Sequence, residues 1–126
     1  MDDFVFFTNS KVQLRRIIKD DYTLVNQLGL RCAQAKTWVG RTAKGIDFLG
    51  YRLSHTGLSI AQSTWDRMTA KSLQLYEHGA STSRLQAYAK KWISWAQSGV
   101  RVETLWLTLK TRLILQNISG VTLLLE

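Results

Sequence analysis

Apolar positions at the start of the chain follow two different rhythms. Phe4 to Phe7 is a short unbroken apolar run that ends in the polar Thr8-Asn9-Ser10, a pattern that predicts a buried strand followed by a helix cap. From Ser10 to Leu28 the apolar residues Leu14, Ile17, Ile18, Leu24, Val25 and Leu28 return mostly at steps of three and four. That spacing predicts an amphipathic helix, and Gly29 stands where such a helix stops. Leu30 to Cys32 reads as a further short strand before an irregular stretch. The segments IDFLGYRLS (46–54) and LSIA (58–61), separated by the turn residues HTG, predict a β-hairpin. Gly50 inside the first of them marks a bulge or a close backbone approach.

Beyond Ala61 the spacing is helical. Ser63 and Asp66 stand as in a capping box at the head of a helix that reaches about His78 and stops at Gly79. A second helix follows Ser81-Thr82-Ser83 and aligns Leu85, Tyr88, Trp92 and Trp95; a third starts near Val102 and aligns Val102, Leu105, Trp106, Leu109 and Leu113. The predicted fold is therefore α+β: a small antiparallel sheet with one packed helix, followed by a three-helix bundle. This periodicity places most of Trp65, Trp92, Trp95 and Trp106 in the core and weighs against their use as base-stacking platforms. The chain contains no proline, and no Gly/Ser-rich stretch marks a linker.

Composition adds a partner class. Seventeen Lys and Arg against nine Asp and Glu leave a formal charge of +8 on 126 residues, which favours a polyanion such as nucleic acid over mere solubility. Lys11, Arg15, Arg16 and Lys19 fall on the polar side of the first helix, where a solvated face and a binding face read equally well. Cys32 is alone, so a disulfide within the chain and a cysteine zinc site are both excluded, and a cytoplasmic location is expected. His55 and His78 lack partners at metal-ligand spacing, and no serine sits in a nucleophile elbow. The interrupted tail LILQNISGVTLLLE is not expected to enter a membrane.

The remaining candidate chemistry lies at Asp2 and Asp3, set against the apolar run. A carboxylate pair on a rigid element can hold Mg²⁺, as two-metal phosphoryl transfer requires. Alone, such a pair reads as solvated charge; the order of the segments downstream of it changes that. MDDFVFF (1–7) resembles the catalytic hairpin of reverse transcriptases, in which a Tyr-x-Asp-Asp turn joins two strands. LGLRCAQAKTWVG (28–40) is similar to the next polymerase motif, KGIDFLGYRLS (44–54) to the primer grip, and RLQAYAKKWISWAQSG (84–99) to the thumb helices of bacterial enzymes of the group II intron and retron type.

This resemblance implies a palm fragment over residues 1–61 and a helical thumb over 62–126. It implies that Asp2 is a catalytic metal ligand with Asp3 the lesser one, and that Lys36 serves the phosphates of an incoming nucleotide. By the same likeness Phe48, Leu49, Gly50 and Tyr51 form the primer grip, and Arg84, Lys90 and Lys91 contact nucleic acid. Mg²⁺ is the cofactor of the intact parent enzyme and an RNA or DNA primer-template its partner. The family draws a further aspartate from a strand that would precede residue 1, and Asp20, Asp21, Asp47 and Asp66 read as helical, loop or capping residues. The metal site is accordingly expected to be incomplete, with no ion bound and no polymerisation by this chain alone. A homodimer through an exposed Phe4–Phe7 strand edge or swapped helices is also expected. The alternative is a small basic nucleic-acid- or protein-binding module derived from a mobile element.

Overall fold

The helix predicted from Ser10 to Leu28 forms as α1 (Lys11–Gln27) in a computed structural model that describes residues 3–116 of the chain. Ser10 caps it, its hydroxyl accepting the Gln13 N–H at 3.2 Å, so one of the first-turn donors left without an intrahelical partner is satisfied. At the other end the Gly29 N–H donates to the Asn26 carbonyl and the Leu30 N–H to the Val25 carbonyl, the paired closure of a Schellman motif. This helix belongs to the first of two compact units, Met1–Gly40; the second is Arg41–Glu126.

Two strands expected in the first unit do not form. Phe4 to Phe7 is unpaired, with Phe4, Phe6 and Phe7 exposed to 64%, 52% and 60%. A strand needs a neighbour for its backbone groups, and the first unit offers none. The Phe4–Phe7 segment, expected to offer an unpaired edge to a second copy, has no strand partner among the described residues. Leu30 to Cys32 is likewise irregular and leads into a single 3₁₀ turn at Gln34–Lys36.

In the second unit the sheet has three strands in the order β1 (Ile46–Phe48), β2 (Tyr51–Ser54) and β3 (Gly57–Ile60), all antiparallel. The register pairs Phe48 with Tyr51, Tyr51 with Ile60, and Leu53 with both Ile46 and Leu58. Side chains alternate across a strand, so these residues share one apolar face, while Asp47, Arg52 and Ser59 line the other. On that polar face Arg52 pairs with Asp47 at 2.9 Å and donates to the Lys44 carbonyl at 2.6 Å. Asp47, read from sequence as a loop residue, is thus a strand residue whose carboxylate is already engaged.

The expectation of a bulge at Gly50 is also corrected. Leu49 and Gly50 form a two-residue turn between β1 and β2, with φ of 51° and 86°. Positive φ at both central positions is what a type I′ turn requires, because its twist matches that of the flanking strands. Gly50 adopts this at no steric cost; a leucine there costs about 1–2 kcal/mol.

Three helices complete the unit: α2 (Gln62–Glu77), α3 (Thr82–Ala96) and α4 (Val102–Leu115). Ser81 caps α3 by accepting the Arg84 N–H. The capping box expected at Ser63 and Asp66 does not form, because α2 starts two residues earlier than that box requires, with Ala61 as its cap. Strand β3 runs directly into the helix, and Asp66 instead accepts from the Gln62 side chain at 2.8 Å. The core joins Ile60 of the sheet to Trp65 and Met68 of α2, Leu85, Ala89, Ile93 and Ala96 of α3, and Leu105, Trp106, Leu109 and Leu113 of α4. This shared core groups the hairpin with the helices in one compact unit, Arg41–Glu126; the palm and thumb bounds at 61/62 come from the resemblance. The α+β class stands: a small antiparallel sheet with a helical bundle. Among the described residues no helix is long and apolar enough to cross a membrane.

One joint locks sheet to bundle. The Gly50 carbonyl accepts the Ala61 N–H at 3.1 Å and the Thr64 hydroxyl at 2.9 Å, and the Tyr51 hydroxyl donates between the carbonyls of Trp95 and Ala96 at 3.1 and 3.2 Å. Removing that hydroxyl in Tyr51→Phe should cost about 1 kcal/mol in denaturant unfolding. Gly50→Ala should cost about 2 kcal/mol, since its Cβ would lie 3.0 Å from the Trp95 ring at a φ that side chains avoid.

Candidate nucleic-acid interface

Where the turn meets the helices, four aromatic rings follow one another. Tyr51 stacks on Trp95 with centroids 5.1 Å apart, Trp95 lies 6.0 Å from Trp92, and Trp92 lies 4.7 Å from Trp65. Arg112 closes the series with its guanidinium 4.9 Å from the Trp65 ring, a cation–π contact. Trp65 and Trp106 are buried, as the periodicity predicted, but Trp92 is only half-buried and Trp95 is 41% exposed. The open sides of Trp92 and Trp95, with Tyr88, form one wall of a shallow groove of about 450 Å³. Thr64, Arg67 and Met68 of α2 form the other wall, and Leu49 and Gly50 close the end.

Helical spacing places more charge around this groove. On α3 the positions Arg84, Tyr88, Lys91 and Trp95 follow at steps of three and four, so they form one stripe beside the buried stripe of Leu85, Ala89, Ile93 and Ala96. On α2 Lys71 follows Arg67 by one turn. All four cations are exposed, and none is in a salt bridge among the described residues. Helix α3 carries no carboxylate at all. Burial raises the Tyr88 phenol above its ordinary pKa. Its hydroxyl has no hydrogen-bond partner among the described residues and is free to donate.

The residues singled out from sequence divide between the two units. Leu49 and Gly50 line the groove, Tyr51 anchors it from behind, and Phe48 pairs with Tyr51 across the ladder. Arg84 and Lys91 lie on the groove stripe, whereas Lys90 is turned about 100° from Lys91 onto the far polar side of α3. Asp3 and Lys36 belong to the first unit, Asp3 exposed in unpaired backbone and Lys36 exposed on its 3₁₀ turn. Asp2 lies outside the described residues. Among the described residues no three His, Cys, Asp or Glu side chains converge to hold a metal. Arg67, Lys71 and Tyr88 escaped the sequence reading as binding residues. The i to i+4 pairing of Arg67 with Lys71 and of Arg84 with Tyr88 is the signal that marks them.

Comparison with family models, with curated proteins and with solved structures finds no match to this chain. Function is therefore read from the groove and its charge. Lys91→Ala should lower the slope of log affinity against log salt for an oligonucleotide by about 1, and Lys90→Ala should change it less. Fluorescence anisotropy across a salt series measures both.

Proposed function

We propose that this chain binds nucleic acid through the turn and the second bundle helix, as the palm edge and thumb of a reverse transcriptase, and does not polymerise with these 126 residues alone. The observation that carries the reading is the junction itself: the Leu49-Gly50 turn, in the segment that resembles the primer grip, shares one aromatic, cationic groove with the segment that resembles the thumb. Two stretches linked only by sequence likeness to one family thus meet at a surface suited to a polyanion. A formal charge of +8 supports the same partner.

The restriction on catalysis follows from the carboxylates. Asp47 pairs with Arg52, and Asp66 accepts from Gln62 and lies 3.9 Å from Arg112, so both carboxylates already have partners within the second unit. Two-metal transfer needs those oxygens, and Mg²⁺ belongs here to the intact parent enzyme.

Contacts from Arg67, Lys71, Arg84 and Lys91 to phosphate would release about four counterions. The slope of log affinity for an RNA–DNA hybrid against log salt should then be roughly −3 to −4, without preference for sequence. A slope near zero would contradict the binding proposal. Template-directed nucleotide incorporation by the 126-residue chain, abolished in Asp2→Ala, would contradict the catalytic part.

A further inference from the structure

The groove has features that phosphate contacts alone do not explain. Trp95 stacks on Tyr51 and Trp92 lies tilted against Trp65, and both indoles line the groove. Fixed rings lose little freedom when a flat ligand settles on them. Leu49 is 63% exposed and sits in a left-handed conformation that Asn or Gly would adopt more easily. It gains nothing from the core there, and an apolar side chain kept at a strained, exposed turn points to a contact made outside the chain. The groove's volume of about 450 Å³ falls within the roughly 300–1,000 Å³ typical of small-ligand sites.

We propose that the groove seats one unpaired nucleotide of a strand, its base against Leu49 and the indoles of Trp92 and Trp95, and its phosphate on Arg67. The inference rests on the nucleic-acid reading above. A base inside a duplex has both faces covered by its neighbours and offers this platform nothing, whereas an unpaired base has an open face. The Arg67 guanidinium is positioned along the first turns of α2, with Nε donating to the Ser63 carbonyl at 3.3 Å and Nη2 to Thr64 Oγ1 at 3.4 Å. Its remaining donors are available to a phosphate. The Tyr88 hydroxyl adds a donor from the opposite wall. Lys71, Arg84 and Lys91 on the flanking stripes would hold the adjoining backbone.

The test compares a blunt RNA–DNA hybrid with the same hybrid bearing a three-nucleotide unpaired end, titrated against the full chain at one salt concentration. The unpaired end should raise affinity about tenfold and quench tryptophan fluorescence, in line with the energy of one stacked base. Leu49→Asn should reduce that advantage to under about threefold while raising thermal stability, so lost folding cannot explain the result. Arg67→Ala should weaken the unpaired end by about fivefold more than the blunt hybrid, and Lys110→Ala, an equal loss of charge on α4, should leave the advantage intact. Equal affinity for the two hybrids without quenching would overturn this inference and leave the broader binding function standing. No affinity for either would overturn both.

Discussion

The second unit depends on a single carbonyl. Gly50 presents its oxygen to the backbone N–H of Ala61 and to the hydroxyl of Thr64, so the end of a hairpin becomes the start of a helix. Helix α2 has no side-chain cap of its own, and these bonds fix its entry where Ser or Asp would otherwise stand. Tyr51, the next residue, does the matching work at the far end of α3, where terminal carbonyls lack intrahelical donors. The sheet therefore satisfies polar groups at two helix ends while its apolar face joins their core. Gly50 is favoured twice over, by its positive φ and by a Trp95 ring that a Cβ would approach to 3.0 Å.

That joint is also what gives the groove its shape. Were the turn to leave α2, Trp95 would lose the Tyr51 ring behind it and the groove would lose its closed end. Rigidity in a binding surface matters because ordering a side chain on association costs about 0.5–1.5 kcal/mol each. Here the ordering is done during folding: indoles packed against aromatic neighbours are already in place. The cost of the Leu49 conformation is likewise met by the ladder and by the Gly50 hydrogen bonds around it.

Periodicity makes the helices legible in the sequence, and it fails where partners decide. Helix α1 extends over Lys11–Gln27 inside the predicted Ser10–Leu28, because Ser10 and Gly29 are local signals that act through the neighbouring backbone. Phe4 to Phe7 has the composition of a strand, yet a strand is a relation between two segments and composition names only one. Gly50 stands out in the sequence without disclosing its geometry, since a bulge and a two-residue turn both ask for glycine and only the register of Phe48 against Tyr51 separates them. The tryptophans show the same limit. Trp92 and Trp95 share one helix with the buried Leu85 and Ile93, and whether they border the core or belong to it depends on where the hairpin lands.

Charge supplies the last step, by ranking the basic helices. Helix α1 carries four cations, but Asp20 and Asp21 follow on the same helix and offset half of them. Helix α2 balances Arg67 and Lys71 against Asp66 and Glu77, with Asp66 drawn toward Arg112 and Gln62 on α4 and α2. Helix α3 has Arg84, Lys90 and Lys91 and nothing to offset them. Fields from exposed charges fade within about 8–10 Å at ordinary ionic strength, so local imbalance counts for more than the total of +8. A polyanion would accordingly feel α3 before α1, and the stripe of α3 that it meets on one side is the one bearing Tyr88 and Trp95. Two of the three α3 cations, Arg84 and Lys91, thus share a helix face with Tyr88 and Trp95, which is where the proposed binding would draw on both charge and aromatic rings.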